Sequence, residues 1–319
     1  MVRDSVSSPV IMKDLKFSPH STSAIGSFRN DTDVQKHLPS DLYNALFGEI
    51  PNNLDARSLV TVPNNKTLLN NGAFGHAYDE VRKLSRLLRE FSEDESEIFF
   101  DQVCLPLVNH SYAVVEEFME TPNVLLVPNC TMGMKCVADS LFKKHGHTQV
   151  ACLMPLYGAT AKLLEYYDSE ETFSTFTRIS PGENPLLEEN PGVIIGALED
   201  AYNMEQFTVL FCDEIASQSG RQLPIEAIAD FCESKGVELV VDGTQSCQLF
   251  FGNKKQVLHK IDYFVMSTHK WIGELIGYFC YVKILKPLSH VMRKKREQFT
   301  INSLSLGSPF KNVDSKSYI

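Results

Sequence analysis

From about residue 67 onward, short and almost unbroken apolar runs alternate with stretches in which apolar residues recur every three to four positions. The runs at 124–127, 150–154, 207–212, 237–241, 262–266 and 277–282 have the length and composition of buried strands. Leu84, Leu87, Leu88 and Phe91 mark one face of a helix. Residues 102–120, 131–144 and 158–167 read as further helices. Pro224 opens another, which Gly236 closes. A polar, proline-containing stretch near 180–192 reads as a loop. Strands of this kind, separated by helices, predict a mostly parallel sheet covered on both faces. Such sheets bind ligands beyond the carboxyl ends of their strands. The residues just after each strand are therefore the ones to inspect.

Composition narrows the field. At 319 residues and 43% hydrophobic, the chain can bury a large core. A net charge of -10 and a pI near 5.4 argue against a nucleic-acid surface. Eight scattered cysteines with no CxxC pair read as reduced, buried thiols, not as disulfides or a metal site. No apolar run reaches the length of a membrane span, and the N-terminus has no signal-like pattern. A cytoplasmic protein without a membrane partner is expected.

Two strand ends carry chemistry. Asp242-Gly243-Thr244-Gln245 follows one strand, and Ser267-Thr268-His269-Lys270-Trp271 follows the next. Alone, Asp-Gly after a strand is usually a turn, and a lysine there is usually solvated. Together, a carboxylate and a lysine at adjacent strand ends can face one pocket. Pyridoxal 5'-phosphate (PLP) needs that pair. A buried carboxylate keeps its ring nitrogen protonated, and a lysine amine takes its aldehyde and later shuttles protons at the substrate Cα. Its phosphate needs hydroxyls and amide N–H groups at a helix N-terminus. Ser267 and His269 flank the lysine as candidate donors.

Asp-Gly-x-Gln followed by Ser-x-His-Lys-Trp resembles the core signature of the class V aminotransferases, PLP-dependent enzymes of fold type I. Within them the likeness is to the isopenicillin N epimerase-like branch, which includes cysteine desulfhydrases and the sulfoxide lyases of ergothioneine biosynthesis. The resemblance implies Lys270 as the Schiff-base lysine, Asp242 as partner of the ring nitrogen and Gln245 on the phenolic oxygen. Leu69 to Gly75 resembles the family's Asn-Asn-Gly-Ser-Phe-Gly stretch, which implies Asn71 at the substrate end. Val127 to Gly133 resembles its phosphate turn, with the Thr131 hydroxyl and the Met132 amide as donors. An ordinary helix cap by Asn129 or Thr131 would look the same. Pro155 stands where many relatives carry a histidine, leaving Tyr157 as the nearby ring, either stacked on the cofactor or plain core. The loop from Asp213 to Pro224 resembles one that approaches the cofactor oxygen, with Ser217 as the contact.

The resemblance covers about 65–290. It implies a large PLP-binding domain at 61–285; residues 1–60, rich in Ser, Asn, Asp and Pro with weak periodicity, read as a poorly ordered or loosely docked arm. It also implies a C-terminal small domain truncated or missing, with 286–319 as its remnant. Relatives usually hold the substrate carboxylate with an arginine from that domain, whereas here only Arg293 and Arg296 follow Lys270, in a basic run that reads as solvated. The implied function is β-elimination from cysteine or a cysteine conjugate, that is, a C–S lyase. An aminotransferase or epimerase would use the same core residues, and a PLP-binding inactive protein is the reading of a different class. A persulfide-forming desulfurase fits less well, because the only cysteine after Lys270 is Cys280, inside an apparent strand. A homodimer is implied by the family, with an amino acid as the small-molecule partner.

Overall fold

The computed structural model describes residues 36–47, 59–62, 66–119, 123–146, 148–182, 190–246, 253–271 and 280–284. The arm at 1–60 lies largely outside these residues, and the segment at 286–319 lies wholly outside them. The chain divides into two compact units.

The first unit comprises Met1–Thr67, Ala77–Glu120 and Leu288–Ile319. Its described elements are helical. Helix α1 is Ser40–Phe47 and α2 is Asp79–Asp94. A short turn and a π-helical segment at Phe99–Val103 then lead into α3, Cys104–Met119. Leu38, Leu42, Phe91 and Val103 form a small core, with Leu84, Leu87 and Leu88 packed at its border. The stripe read from the sequence on α2 is thus the face that is buried. Asp79 fixes the start of α2 by accepting the Thr61 amide at 2.9 Å, a position where the helix dipole also favours a carboxylate.

The second unit comprises Leu68–His76 and Thr121–Pro287. Its strands are β1 (Val124–Val127), β2 (Thr148–Leu153), β3 (Phe173–Ile179), β4 (Val209–Asp213), β5 (Glu238–Asp242), β6 (Tyr263–Ser267) and β7 (Cys280–Ile284). They form one sheet in the order β1-β7-β6-β5-β4-β2-β3. Pairs β3–β2, β2–β4, β4–β5 and β5–β6 are parallel, while β7 runs antiparallel to both β6 and β1. Since β7 is reversed against both neighbours, β1 points the same way as β6. The carboxyl ends of β1, β2, β4, β5 and β6 therefore share one edge. All residues of β1, β4, β5 and β6 are buried, which is why these strands lack polar alternation.

Helices connect the strands: α4 (Cys130–His145), α5 (Gly158–Ser169), α6 (Pro191–Met204) and α7 (Ile225–Lys235). Helix α4 packs with α5, and α6 packs with α7. Chain connections turn one way from β2 to β3 and the other way from β4 to β5. Right-handed crossovers then put α5 and α7 on opposite faces of the sheet. Their ends are locally encoded. The Asn129 side chain caps α4, Asn190 caps α6 ahead of Pro191, and Gly236 closes α7 at φ 70°. Helix α6 and strand β3 extend the expected pattern, and neither stands out in the sequence. Among the described residues no helix is long and apolar enough to cross a membrane.

Candidate active site

The sheet order reverses between β2 and β4, the position where open α/β sheets leave a crevice. A cavity of about 230 Å³ lies at that edge, a size suited to one small ring-bearing ligand. The carboxyl ends of β1, β2, β4, β5 and β6 each contribute. Asn129, Cys130 and Thr131 come from the turn after β1, and Tyr157 from the turn after β2. Asp213, Ile215 and Ser217 follow β4, and Asp242, Thr244 and Gln245 follow β5. Ser267, His269 and Lys270 follow β6, and Ala73 comes from the segment 68–76.

Of the residues read from the sequence, the cavity brings together Thr131, Tyr157, Ser217, Asp242, Gln245, Ser267, His269 and Lys270. Met132 and Asn71 are not in its lining. The Met132 amide donates to Asn129 Oδ1 at 2.8 Å, so that N–H serves the helix cap. Asn71 is exposed in a turn closed by the Phe74 amide on the Asn70 carbonyl. Tyr157 is 47% exposed, so its ring borders the cavity and is not core.

Close contacts fix the lining. Gln245 Nε2 donates to the Gly72 carbonyl at 2.6 Å. A Cβ on Gly75 would stand 1.6 Å from the His269 carbonyl oxygen, so the segment 68–76 runs directly against the lysine turn and only glycine fits there. Thr244 supplies its carbonyl to both Ser267 Oγ at 3.2 Å and Trp271 Nε1 at 2.8 Å, which ties the β5 turn to the β6 turn on either side of Lys270.

The charged groups are strongly perturbed. Asp242 is buried and accepts the Thr244 amide at 3.0 Å and the Thr160 hydroxyl at 3.4 Å. Burial raises its pKa, while Thr244, the Lys270 charge and Thr160 act against the rise. Burial and the neighbouring Lys270 charge lower His269, which favours the neutral ring. Asp213, which the sequence reading took only as the start of a loop, ends β4 inside the cavity. Burial pushes its carboxyl up to about 8, with the Asp242 charge adding to the effect and the amides of Tyr157 and Ser217 opposing it. The available signal was an acid closing an unbroken apolar strand.

Polar atoms without partners reveal what the cavity is built for. Both Asp213 oxygens and His269 Nδ1 are buried with no hydrogen-bond partner. Burying such atoms is costly unless a ligand meets them. A lysine, buried carboxyls, a neutral imidazole and a capped helix start at one sheet edge fit a phosphorylated pyridine bearing an aldehyde.

Fold and site together define a fold type I, PLP-dependent protein. The family model for class V aminotransferases matches residues 106–275, more than half of the chain. The chain belongs to that family, whose cofactor is PLP. Among solved structures it is similar to a cysteine desulfurase from Thermococcus onnurineus NA1, with TM-score 0.51 and 14% identity. That likeness covers 68% of this chain and 53% of the desulfurase, so the chain spans about half of that protein's length. It is also similar to a NifS-like protein, with TM-score 0.50, 15% identity, and coverage of 74% and 70% respectively. At these identities the likeness is one of fold. No curated protein matches the chain.

Proposed function

We propose that this chain carries the catalytic core of a PLP enzyme acting at the Cα of an amino acid, and that its reaction is C–S bond cleavage by β-elimination from cysteine or a cysteine conjugate. One observation supports this above the others: Lys270 and Asp242 line a single cavity at the ends of adjacent strands. When bound, PLP supplies an aldehyde for amine capture and an electron-withdrawing ring. Lys270 is the amine that would hold the cofactor and afterwards take the proton from the substrate Cα and pass it to the departing thiolate. Asp242 holds the proton on the ring nitrogen, which requires an ionised carboxylate, and its three opposing neighbours favour that form. Thr131, His269 and Ser267 bind the phosphate. Gln245 and Ser217 orient the ring, and Tyr157 covers it at the open side. Asn71, outside the cavity lining, is assigned to the substrate end by the resemblance of 69–75 alone.

The choice of C–S cleavage draws on the likeness of the Asp242–Gln245 and Ser267–Trp271 signature to the epimerase-like branch. The fold shared with a cysteine desulfurase is in keeping with it. The test is to load the protein with PLP, reduce it with borohydride and map the modified peptide. The adduct is expected on Lys270. Pyruvate release is then assayed with cysteine, cystine and cysteine sulfoxide conjugates. An adduct elsewhere sinks the lysine assignment. An adduct on Lys270 with transamination, and no release of pyruvate from any of the three, sinks the lyase reading alone.

A further inference from the structure

We propose that Asp213 is a second carboxyl of the cofactor site, held as a neutral acid, so that the Asp213–Asp242 pair presents one negative charge and one O–H donor to the ligand. The proposal rests on the reading that this cavity holds the PLP ring.

The geometry carries it. Asp213 and Asp242 are the last residues of β4 and β5, and their Cα atoms are register partners. Register partners in a parallel pair project to the same face, about 5 Å apart. Both side chains are buried, at 2% and 5% exposure, and both line the same cavity. Their surroundings differ. Asp242 has the Thr244 amide, the Thr160 hydroxyl and the nearby Lys270 charge. The Tyr157 and Ser217 amides approach Asp213, but neither of its oxygens has a partner in good hydrogen-bond geometry. Two ionised carboxylates this close, away from water, repel strongly, and such pairs retain a proton between them. It rests on the member with the weaker donors, the Tyr157 and Ser217 amides alone, and without the Lys270 charge, which is Asp213.

The remaining ionisable groups around the pair agree with this charge count. Tyr157 faces it from the turn after β2, Cys130 from the start of α4, and His269 and Lys270 from the turn after β6. Glu214 follows in the chain and receives a hydrogen bond from Gln222. Cys212, the residue before, projects to the opposite face of the sheet. His269 is held towards its neutral form. One cationic ring nitrogen calls for one carboxylate. A second negative charge would have to share Lys270, whose charge already acts on Asp242, and would oppose a phosphate-bearing ligand. A neutral Asp213 can donate to a ligand oxygen, whereas an ionised one can only accept. Burial has been used elsewhere to keep a carboxylic acid neutral for this purpose.

Ring recognition should therefore weaken as Asp213 ionises. The probe is pyridoxine 5'-phosphate, whose alcohol cannot be captured by Lys270. Its affinity is measured by equilibrium dialysis from about pH 6.5 to about 9.5 for wild type and Asp213→Asn, whose amide is a neutral donor of the same shape. At the acid end the two should agree within about threefold. By the alkaline end wild type should have lost at least about tenfold relative to the variant. The probe's own titrations are common to both proteins and cancel in the comparison. Parallel profiles, or a variant already tenfold weaker at the acid end, overturn the proposal. If the variant does not fold, carbon-13 NMR of aspartate-labelled wild type decides. One carboxyl titrating near pH 8 supports the proposal, and completion of all aspartate titrations below about pH 6 overturns it. Failure of the probe to bind wild type at any pH overturns the cofactor reading itself, and this inference with it. Binding with parallel profiles overturns the inference alone.

Discussion

Lys270 and Asp242 have separable roles, and single substitutions distinguish them. Lys270→Ala should abolish the borohydride-reducible adduct while changing thermal stability by no more than about 1 kcal/mol, because Lys270 is a half-buried turn residue and not core. Peptide mapping and a melting curve check both halves. Asp242→Asn should still bind PLP but lose at least about 100-fold in turnover, since a neutral amide cannot keep the ring nitrogen protonated. Unchanged turnover would make Asp242 a turn residue only. The second carboxyl, Asp213, gives a pH signature of the apo-protein. The folded-state pKa of Asp213, about 8, lies above its ordinary value of 3.8. The folded state thus holds a proton that the unfolded state releases as pH rises from 3.8 to about 8. Stability falls across that window and levels off above it. Asp213→Asn removes this loss. It should be more stable than wild type by about 1–3 kcal/mol at the alkaline end, as denaturant melts at several pH values would show.

Segments explain which parts of the fold were legible in the sequence. The central strands announce themselves because both faces are buried, so Val124–Val127 and Val209–Asp213 carry unbroken apolar runs. Strand β3 lies at the sheet edge and reads Phe-Ser-Thr-Phe-Thr-Arg-Ile, a partly exposed pattern that blends with loop sequence. Helix α6 buries only Ile194 and Leu198 among its residues, too thin a stripe to register. The lysine and Asp242 turns were legible because their residue types recur in one motif. Asp213 was not, since its one local signal, an acid closing an apolar strand, belongs to no motif that names its partner. The importance of the segment 68–76 emerges only from contacts made far along the chain. Gly75→Ala drives a Cβ into the His269 carbonyl. It should cost at least about tenfold in PLP affinity, with the sheet's far-ultraviolet signature intact. A variant with wild-type affinity would mean that the segment is free to move aside. Gly243→Ala meets the Phe264 ring at 2.0 Å inside the core. It should instead destabilise the whole unit by about 1–3 kcal/mol, as read by denaturant melts.

The molecule as a whole comprises a sheet-based unit that contains every residue lining the cavity and a smaller unit, assembled from separate stretches of chain, whose described elements are helical. The family model spans parts of both, since it begins at residue 106. Fold type I sites are usually completed at a subunit boundary, and the reading by resemblance expects a homodimer. Light scattering of the PLP-loaded protein should give twice the 35.9 kDa chain mass. A fully loaded monomer would rule the dimer out.

The bond from Trp271 to the Thr244 carbonyl has a practical side. Trp271 is the sole tryptophan of the chain, adjoins the lysine, and is anchored to the turn that follows Asp242. All of the indole emission therefore originates beside the cavity. A bound chromophore should quench it by energy transfer, and a shift of the β5 turn should change its colour. Occupancy of the site can be followed in the unlabelled protein, against a background that holds no second indole.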